Sequence, residues 1–544
     1  MEIFNLSLPA TNRFASNYLK QTKDIQPFFH YPFAQSSSDS DRLMELQDRS
    51  FPREEVAKHI EDFMGPFPTS KAVYHSIEKL KQKNSVVVIG GQQAGILTGP
   101  LYTLHKVISI IKLAEEKEKK LNVPVVPVFW IAGEDHDFQE VNHLFFPNGQ
   151  KIDKWTYPEK ILQKKMVTEI ELNKDICLAW AENLIEHFGE TSHTKPLLQF
   201  VRNQIEKSNT FVEFFAHIIM ELFKDYGLLI VDSGNVDLRK IEKNIMIDQI
   251  MHHDSITYLL IEQQKKINAN GFPNTIETNE KAANLFYNDP RFHERILLEF
   301  DRQSDRFVGK NGVLAFSKEE LIEIARTEPE RLSNNVVTRP LTQELLFPTI
   351  AFIAGPGEIS YWAELKLVFE HFGIKMPPIV PRLNITLVDR SIESDLMELQ
   401  LSFENVLSRG TNLERDQFLK SIKDREVEEL FSVAINQLSA QYQLIEEKTA
   451  KLDKGLLPLL KKNETLLIEQ IDFMKAKLEE SIKNKHRVVL NKFDRIDLAL
   501  RPDGFPQERI WNVFYYLNEY GFCLIHDLME MPYIFDGSHK IIKM

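Results

Sequence analysis

Four short apolar runs, each closing on a glycine-bearing turn, constrain this chain of 544 residues more than any other feature. They are VVVIGGQQAG from Val86, VFWIAGEDHD from Val128, LLIVDSGN from Leu228 and TIAFIAGPGE from Thr349. A strand buried on both faces has no polar side to alternate with, so it reads as a continuous β-branched and aromatic run. Helical segments between such runs are the crossovers of a parallel sheet. The pattern predicts a doubly wound α/β core. Right-handed crossovers put the carboxyl ends of all its strands on one rim, where ligands bind at the switch point, so the four turns are expected to face one cleft. Pro124 and Pro127 make the first half of the second run an edge or entry segment, because proline cannot donate to a strand ladder.

Two inserts interrupt this core, at about 144–226 and 271–333. The first is polar with scattered aromatics and then helical by period, with Val212, Phe215, Ile219 and Leu222 on one stripe. The second carries the turns GFPN, YNDPRFHER and VGKNG. Both are expected to form connecting subdomains over the cleft.

From Val388 the pattern changes to heptads. Ile392, Leu396, Leu399, Phe403 and Val406 alternate steps of four and three, stopping at Ser408-Arg409-Gly410. A second seam runs from Phe431 through Ile435, Leu438, Tyr442, Ile445, Leu452 and Leu456 to Leu459, and a third through Leu467, Ile471, Met474 and Leu478. Narrow apolar seams among Glu and Lys predict an α-helical antiparallel coiled-coil arm, with a kink or change of partner at Gly455 and Pro458. Such an arm pairs with its copy, so a homodimer is expected. The expected domains are a core over 1–385, the arm over 386–487, and a segment over 488–544 that packs back on the core or arm.

A formal net charge of -13 removes the general attraction to nucleic acid or anionic lipid. No apolar run approaches a membrane span, and MEIFNLSLPATNR lacks a basic start followed by an apolar block, so a cytoplasmic protein is expected. Two cysteines, Cys177 and Cys523, support neither a disulfide framework nor a thiolate zinc cluster.

The first turn resembles a phosphate loop but spells none. Gly90 and Gly95 have the Walker separation, yet Ile96 stands where the lysine belongs, and the glycines do not fit GxGxxG. Its small residues and the helix start at Gly99-Pro100 suit an anion, with Gln92, Gln93, His105 and Lys106 as substrate-binding candidates. In the second turn Glu134, Asp135 and His136, followed by Asp137, Glu140 and His143, concentrate carboxylates where repulsion should raise at least one pKa. That suits a general base, an ammonium site or a hard metal. In the stretch NNVVTRPLTQE, Arg339 has the fork for a carboxylate or phosphate, with Thr338 and Gln343 completing a clamp. In GPGEISYWAELK, Glu358, Tyr361 and Trp362 are candidates to line the cleft. Together these suit a small zwitterionic or polyanionic substrate. Two other classes fit the same residues: a metal-dependent hydrolase at Asp135, His136, Asp137 and His143, and a non-catalytic coiled-coil scaffold sensing a thiol or nucleotide.

The motifs GGQQAGILTGPLYTLHK, VPVVPVFWIAGEDHDFQEVNH, NNVVTRPLTQELLFPTIAFIAGPGEISYWAELK and LRPDGFPQERIWN resemble those of the bacillithiol biosynthesis cysteine-adding enzyme family along essentially the whole chain. The resemblance implies a Rossmann core with connecting-peptide inserts and a dimerising coiled coil. It also implies a cysteine ligase that joins the carboxyl of cysteine to the amino group of glucosaminyl malate. Arg339 and Thr338 would hold the malate carboxylates, and Asp135 or His136 would accept the amine proton. Carboxylate activation calls for ATP or a ready-activated cysteine donor; no metal is assigned. The chain has no His-x-Gly-His after its first strand and no Lys-Met-Ser-Lys-Ser loop, the ATP-handling motifs of class I aminoacyl-tRNA synthetases. A nucleotide is therefore expected away from the rim, with Arg501, Gln507, Arg509 and Trp511 offering charge and stacking surface.

Overall fold

Each of the four apolar runs becomes a strand of one sheet: β1 (Val86–Gln92), β2 (Val125–Ile131), β3 (Leu229–Asp232) and β4 (Thr349–Ala354), joined by a short β5 (Ile379–Pro381). The computed structural model describes residues 1–544 other than 34, 35, 150, 162, 163, 292, 293 and 311. The strand order is β5-β4-β1-β2-β3, and every neighbouring pair is parallel. The chain winds outward from β1 to β3, then returns to β4 on the other side of β1. The switch point therefore lies between β1 and β4. Every residue of β2, β3 and β4 is buried. At ~1.5–3 kcal/mol for each large apolar side chain taken from water, this burial is what the unalternating sequence encodes.

The two prolines of the second run behave as their chemistry requires. Pro124 precedes β2 and offers only its carbonyl, to Val86 N at 2.9 Å. Pro127 lies where β2 pairs with β1 alone, because pairing with β3 begins at Val128. On that side the first half of the strand is an edge.

Helix α1 (Leu101–Leu121) follows β1 and carries a buried face from Leu101 through Lys117. Helix α2 (Thr338–Leu346) precedes β4, and α3 (Pro356–Ala363) follows it. The first insert is a hairpin, His143–Asn148 with Lys151–Thr156, followed by helices Lys174–His187, Thr194–Lys207 and Phe211–Phe223. Val212, Phe215 and Ile219 of the predicted stripe are buried there. The second insert is more than the turns visible in its sequence: five antiparallel strands, from Ala282–Asp289 to Leu332–Asn334, enclose a core of Leu285, Leu298, Phe307 and Leu321. Phe292, His293 and Asn311 of those turns lie outside the described residues. The chain ends meet in a third sheet, where Glu2–Leu6 pairs antiparallel with His539–Lys543 beside Asn384–Val388.

The chain divides into two compact units, residues 1–387 with 506–544 and residues 388–505. The segment expected from residue 488 onward is thus shared: helix Arg487–Leu500 belongs to the second unit, and the chain from Pro506 to the first. Within the second unit α4 (Arg425–Leu452) and α5 (Leu457–Lys485) form an antiparallel hairpin. Gly455 and Pro458 mark the turn between them. Asp453 accepts from Gly455 N at 2.8 Å, and Pro458 sits in the first turn of α5, where its missing N–H is harmless. The heptads from Ile392 to Val406 break into two short helices, Arg390–Glu398 and Phe403–Arg409, through Gln400 at φ +55°. The second of these is closed by Gly410 at φ +77°. No residue of α4 or α5 is buried.

Candidate active site

The carboxyl ends of β1, β2, β4 and β5 open on a cleft of about 890 Å³ in the first unit. Of the sequence candidates, Gln92, Gln93, Lys106, Glu134, Asp135, His136, Glu140, His143, Arg339, Glu358, Tyr361 and Arg509 line it. Three of the four glycine turns face it. The DSGN turn after β3 does not: Asp232 is buried against Thr168 and Gly234, so closely that a Cβ on Gly133 would lie 2.1 Å from its Oδ1.

In the opening turn the glycines serve packing. A Cβ on Gly91 would sit 2.8 Å from the Trp130 carbonyl oxygen, and one on Gly95 would sit 2.8 Å from Gly99 Cα. Leu97, Thr98 and Gly99 all have positive φ, a conformation that strains Leu and Thr. Asn512, from the far end of the chain, holds this bend by donating Nδ2 to Leu97 O at 2.7 Å and to Gly99 O at 2.6 Å. Sequence reasoning missed Asn512; a lone Asn after a Trp carries no signal.

Helix α1 turns its two candidate side chains to different ends. Lys106 reaches the cleft, donating to Gly91 O at 2.6 Å and Glu358 Oε2 at 2.5 Å. Burial, with Arg382 and Arg339 nearby, brings its ammonium below the usual lysine range despite Glu358. His105 does not reach it. It is fully buried, with Nδ1 3.1 Å from Glu508 Oε2, and Glu508 in turn accepts two bonds from Arg382 at 2.7 and 2.8 Å. Burial opposes the Glu508 charge, but Arg382 and His105 hold its carboxyl well below the usual range. Arg382 and Arg509 flank the Tyr102 ring at 5.7 and 5.8 Å on this side of the cleft.

Within the GEDHD turn Asp135 runs against the expected rise. Burial would raise Asp135, yet the Gln93 amide at 2.6 Å, the charge of Arg295 and the backbone N–H groups of His136 and Asp137 outweigh it. Asp135 therefore sits below the usual carboxylate range. Asp232 on β3 is pushed up to about 6 by burial. Glu134 is 4% exposed and accepts from Arg239 Nη2 at 2.5 Å and Asn334 N at 3.3 Å. Behind it Arg239 also donates to Glu242 at 2.7 Å, and burial, aided by Glu134, lifts Glu242 to about 7.

His136 is defined by Arg295, a residue that sequence reasoning also missed because it arrives from the second insert. Arg295 Nη1 lies 3.3 Å from His136 Nδ1, and a guanidinium can only donate. Nδ1 therefore carries the lone pair and Nε2 the hydrogen. Burial and the Arg295 charge keep the ring below the ordinary histidine range, so it is neutral near pH 7. Neutral His136 thus offers the cleft a donor. Arg295 is 8% exposed and stacks 3.8 Å over the Phe286 ring.

Arg339, on α2, lines the opposite wall. It donates to the Tyr361 hydroxyl at 2.5 Å and to Gln343 Oε1 at 3.3 Å, while burial pushes the Tyr361 phenol up to about 12. Gln343 positions Arg339 without lining the cleft. Thr338 is turned away, donating to Asn284 O at 2.9 Å. Trp362 packs on Phe352 at 4.6 Å.

Three of the four proposed nucleotide residues are engaged by the protein itself. Gln507 is spent on both backbone groups of Leu387 at 2.8 Å, and Trp511 is 2% exposed. Arg501 belongs to the second unit, on Leu407 O at 2.5 Å. Of the four, only Arg509 lines the cleft. Among the described residues no three His, Cys, Asp or Glu side chains are placed to hold a metal ion, and His136 Nδ1 already faces a cation. No helix among them is long and apolar enough to cross a membrane.

A doubly wound sheet with a charged cleft at its switch point, joined to a helical hairpin unit, defines a Rossmann-like α/β protein with a coiled-coil domain. The chain belongs to the bacillithiol biosynthesis BshC family: the model of its N-terminal Rossmann-like domain matches residues 1–383, and that of its C-terminal coiled-coil domain matches residues 385–544. Relatives named "Putative cysteine ligase BshC" are similar over the full length of both chains. They include those of Geobacillus sp. (strain WCH70) at 44% identity, Geobacillus thermodenitrificans (strain NG80-2) at 43% and Bacillus cereus (strain AH187) at 41%.

Proposed function

We propose that this chain is a ligase forming the amide between the carboxyl of cysteine and the amino group of glucosaminyl malate. The observation that carries the proposal is the pair of cleft guanidiniums, Arg339 and Arg295, neither of which has a carboxylate within ion-pair distance among the described residues. A guanidinium that no carboxylate contacts in a largely dry wall is only partly compensated, so an anionic ligand is called for. Arg339 takes a carboxylate of the malyl half, its fork held by Gln343 and Tyr361. Asp135, kept ionised by Gln93 and Arg295, faces the amino group. It holds the ammonium and takes one proton from it before attack, leaving a neutral amine as the nucleophile. Neutral His136, with its hydrogen on Nε2, donates to oxygen. The cysteine carboxyl arrives activated, either with ATP or as a ready-made donor: the C–N bond forms as the bond to the leaving group breaks, the leaving group departs with that electron pair, and the nitrogen gives up its second proton as the amide forms. Pairing of the second unit with its own copy, through the exposed seams of α4 and α5, belongs to the same proposal.

The experiment is incubation of the protein with cysteine and glucosaminyl malate, with and without ATP, and mass spectrometry for the amide. Product only with ATP marks a direct ligase, and product only with a pre-activated cysteine donor marks the second route. Absence of product in both arms overturns the reading.

A further inference from the structure

A relay of hydrogen bonds in the cleft wall fixes the direction of one amide. Gln249 Nε2 lies 3.4 Å from Thr338 O and 2.8 Å from Thr342 Oγ1. A carbonyl only accepts, so the Gln249 NH2 group points here, and the Thr342 hydroxyl receives one of its hydrogens. Thr342 must then spend its own hydrogen on Asn334 Oδ1, 3.1 Å away. The Asn334 NH2 group is left over: it is buried with no partner, and the residue, 1% exposed, lines the cleft.

Arg295 sits on the backbone of the same residue. Its Nε donates to Ser333 Oγ at 2.9 Å, its Nη1 to His136 and its Nη2 to Asn334 O at 2.5 Å. A guanidinium has five N–H donors, so two remain. An unsatisfied buried amide beside a buried cation that no carboxylate touches is a poor arrangement for an empty wall and a good one for an oxyanion.

We infer that Asn334 Nδ2 and the remaining N–H groups of Arg295 form a second carboxylate subsite, so that the cleft selects dicarboxylates: Arg339 holds one carboxylate of the malyl half and the Asn334–Arg295 pair holds the other. This rests on the proposed substrate class but assigns residues that the reading does not need. Asn334 is a specificity-determining residue, and Thr342 is a positioning residue acting through it.

Titration calorimetry with glucosaminyl malate, and with its lactate analogue lacking the distal carboxylate, tests the assignment. Wild type is expected to bind the malate compound at least 30-fold more tightly. Asn334→Asp, nearly the same shape, puts an acceptor and a charge where the donor stood and is expected to remove that preference. Thr342→Val, which never touches the ligand, frees the amide to rotate and is expected to lose part of the preference. Binding of the lactate analogue gives the control for folding in each variant. An Asn334→Asp protein that keeps the full preference, or that loses affinity equally for both compounds, overturns the subsite. The ligase reading fails separately: wild type that prefers the dicarboxylate yet makes no amide leaves the subsite standing, whereas amide formation with no preference removes the subsite alone.

Discussion

The cleft rim and the helical hairpin bury opposite kinds of group. In the rim, charges are dry: Glu508, Arg382, Lys106 and Arg239 are all at most 5% exposed. In the hairpin, hydrophobics are wet: Leu444, Leu459, Leu466, Phe473 and Met474 are all at least 47% exposed. A buried charge is held by fixed counter-groups, so the rim is a preorganised electrostatic device whose geometry its own fold supplies. The exposed hydrophobics of the hairpin lie on and beside its heptad seams and have no such counter-groups. The first region encloses a cleft of small-molecule size, and the second presents apolar helix surface to water.

The largest effect that could break this contrast is at Glu508. Glu508→Ala leaves the Arg382 guanidinium buried without its carboxylate, and a loss of about 3–5 kcal/mol is expected by urea denaturation. A loss below about 1 kcal/mol, the size of a surface ion pair, would show that the rim charges are not dry in solution. Arg339→Ala comes next. It is expected to weaken glucosaminyl malate binding about 100-fold, close to 3 kcal/mol, with the melting temperature nearly unchanged, read by calorimetry. In the hairpin, Leu467→Lys with Met474→Lys is expected to weaken self-association about 30-fold in sedimentation equilibrium, roughly 2 kcal/mol, without shifting the thermal transition of the dilute protein. A shift there would mean that the seam is already packed within one chain.

The smallest effect is a pH slope. Glu242 is raised to about 7 in the folded protein by burial, with Glu134 adding to it. The folded state therefore keeps its proton where the unfolded state has lost it. Raising the pH from the ordinary glutamate range to about 7 favours unfolding, by at most about 1.4 kcal/mol per pH unit. Glu242→Gln, which mimics the protonated form beside Arg239, is expected to flatten that part of the stability profile. An unchanged slope between pH 5 and 7 would place the proton elsewhere in the Asp232, Glu134 and Glu242 group.

The four main strands were legible because burial on both faces leaves continuous β-branched runs. β5 was not, since Ile-Val-Pro is too short to have a period. The hairpin was legible through its heptads, and Gly455 and Pro458 mark its turn because neither suits a helix interior. The antiparallel sheet of the second insert was hidden behind its turn residues, and with it Arg295, whose role depends on a strand crossing to another element. Candidates beside the glycine turns, such as Gln93 and Asp135, were found because a strand end fixes where they go. His105, Thr338 and Trp511 were misplaced because their direction depends on helix rotation or backbone path, which adjacency to a motif does not reveal. Arg382 and Asn512 carry no local pattern at all.

The bend at Leu97, Thr98 and Gly99 has a consequence in time. Those residues leave the ribosome more than four hundred residues before Asn512, the side chain that holds them in their left-handed conformations. Domains fold as they emerge, and the sheet ends around the cleft are made early. The first wall of the cleft is nonetheless finished last, so a chain interrupted before its final segment would be largely folded yet unable to present the site.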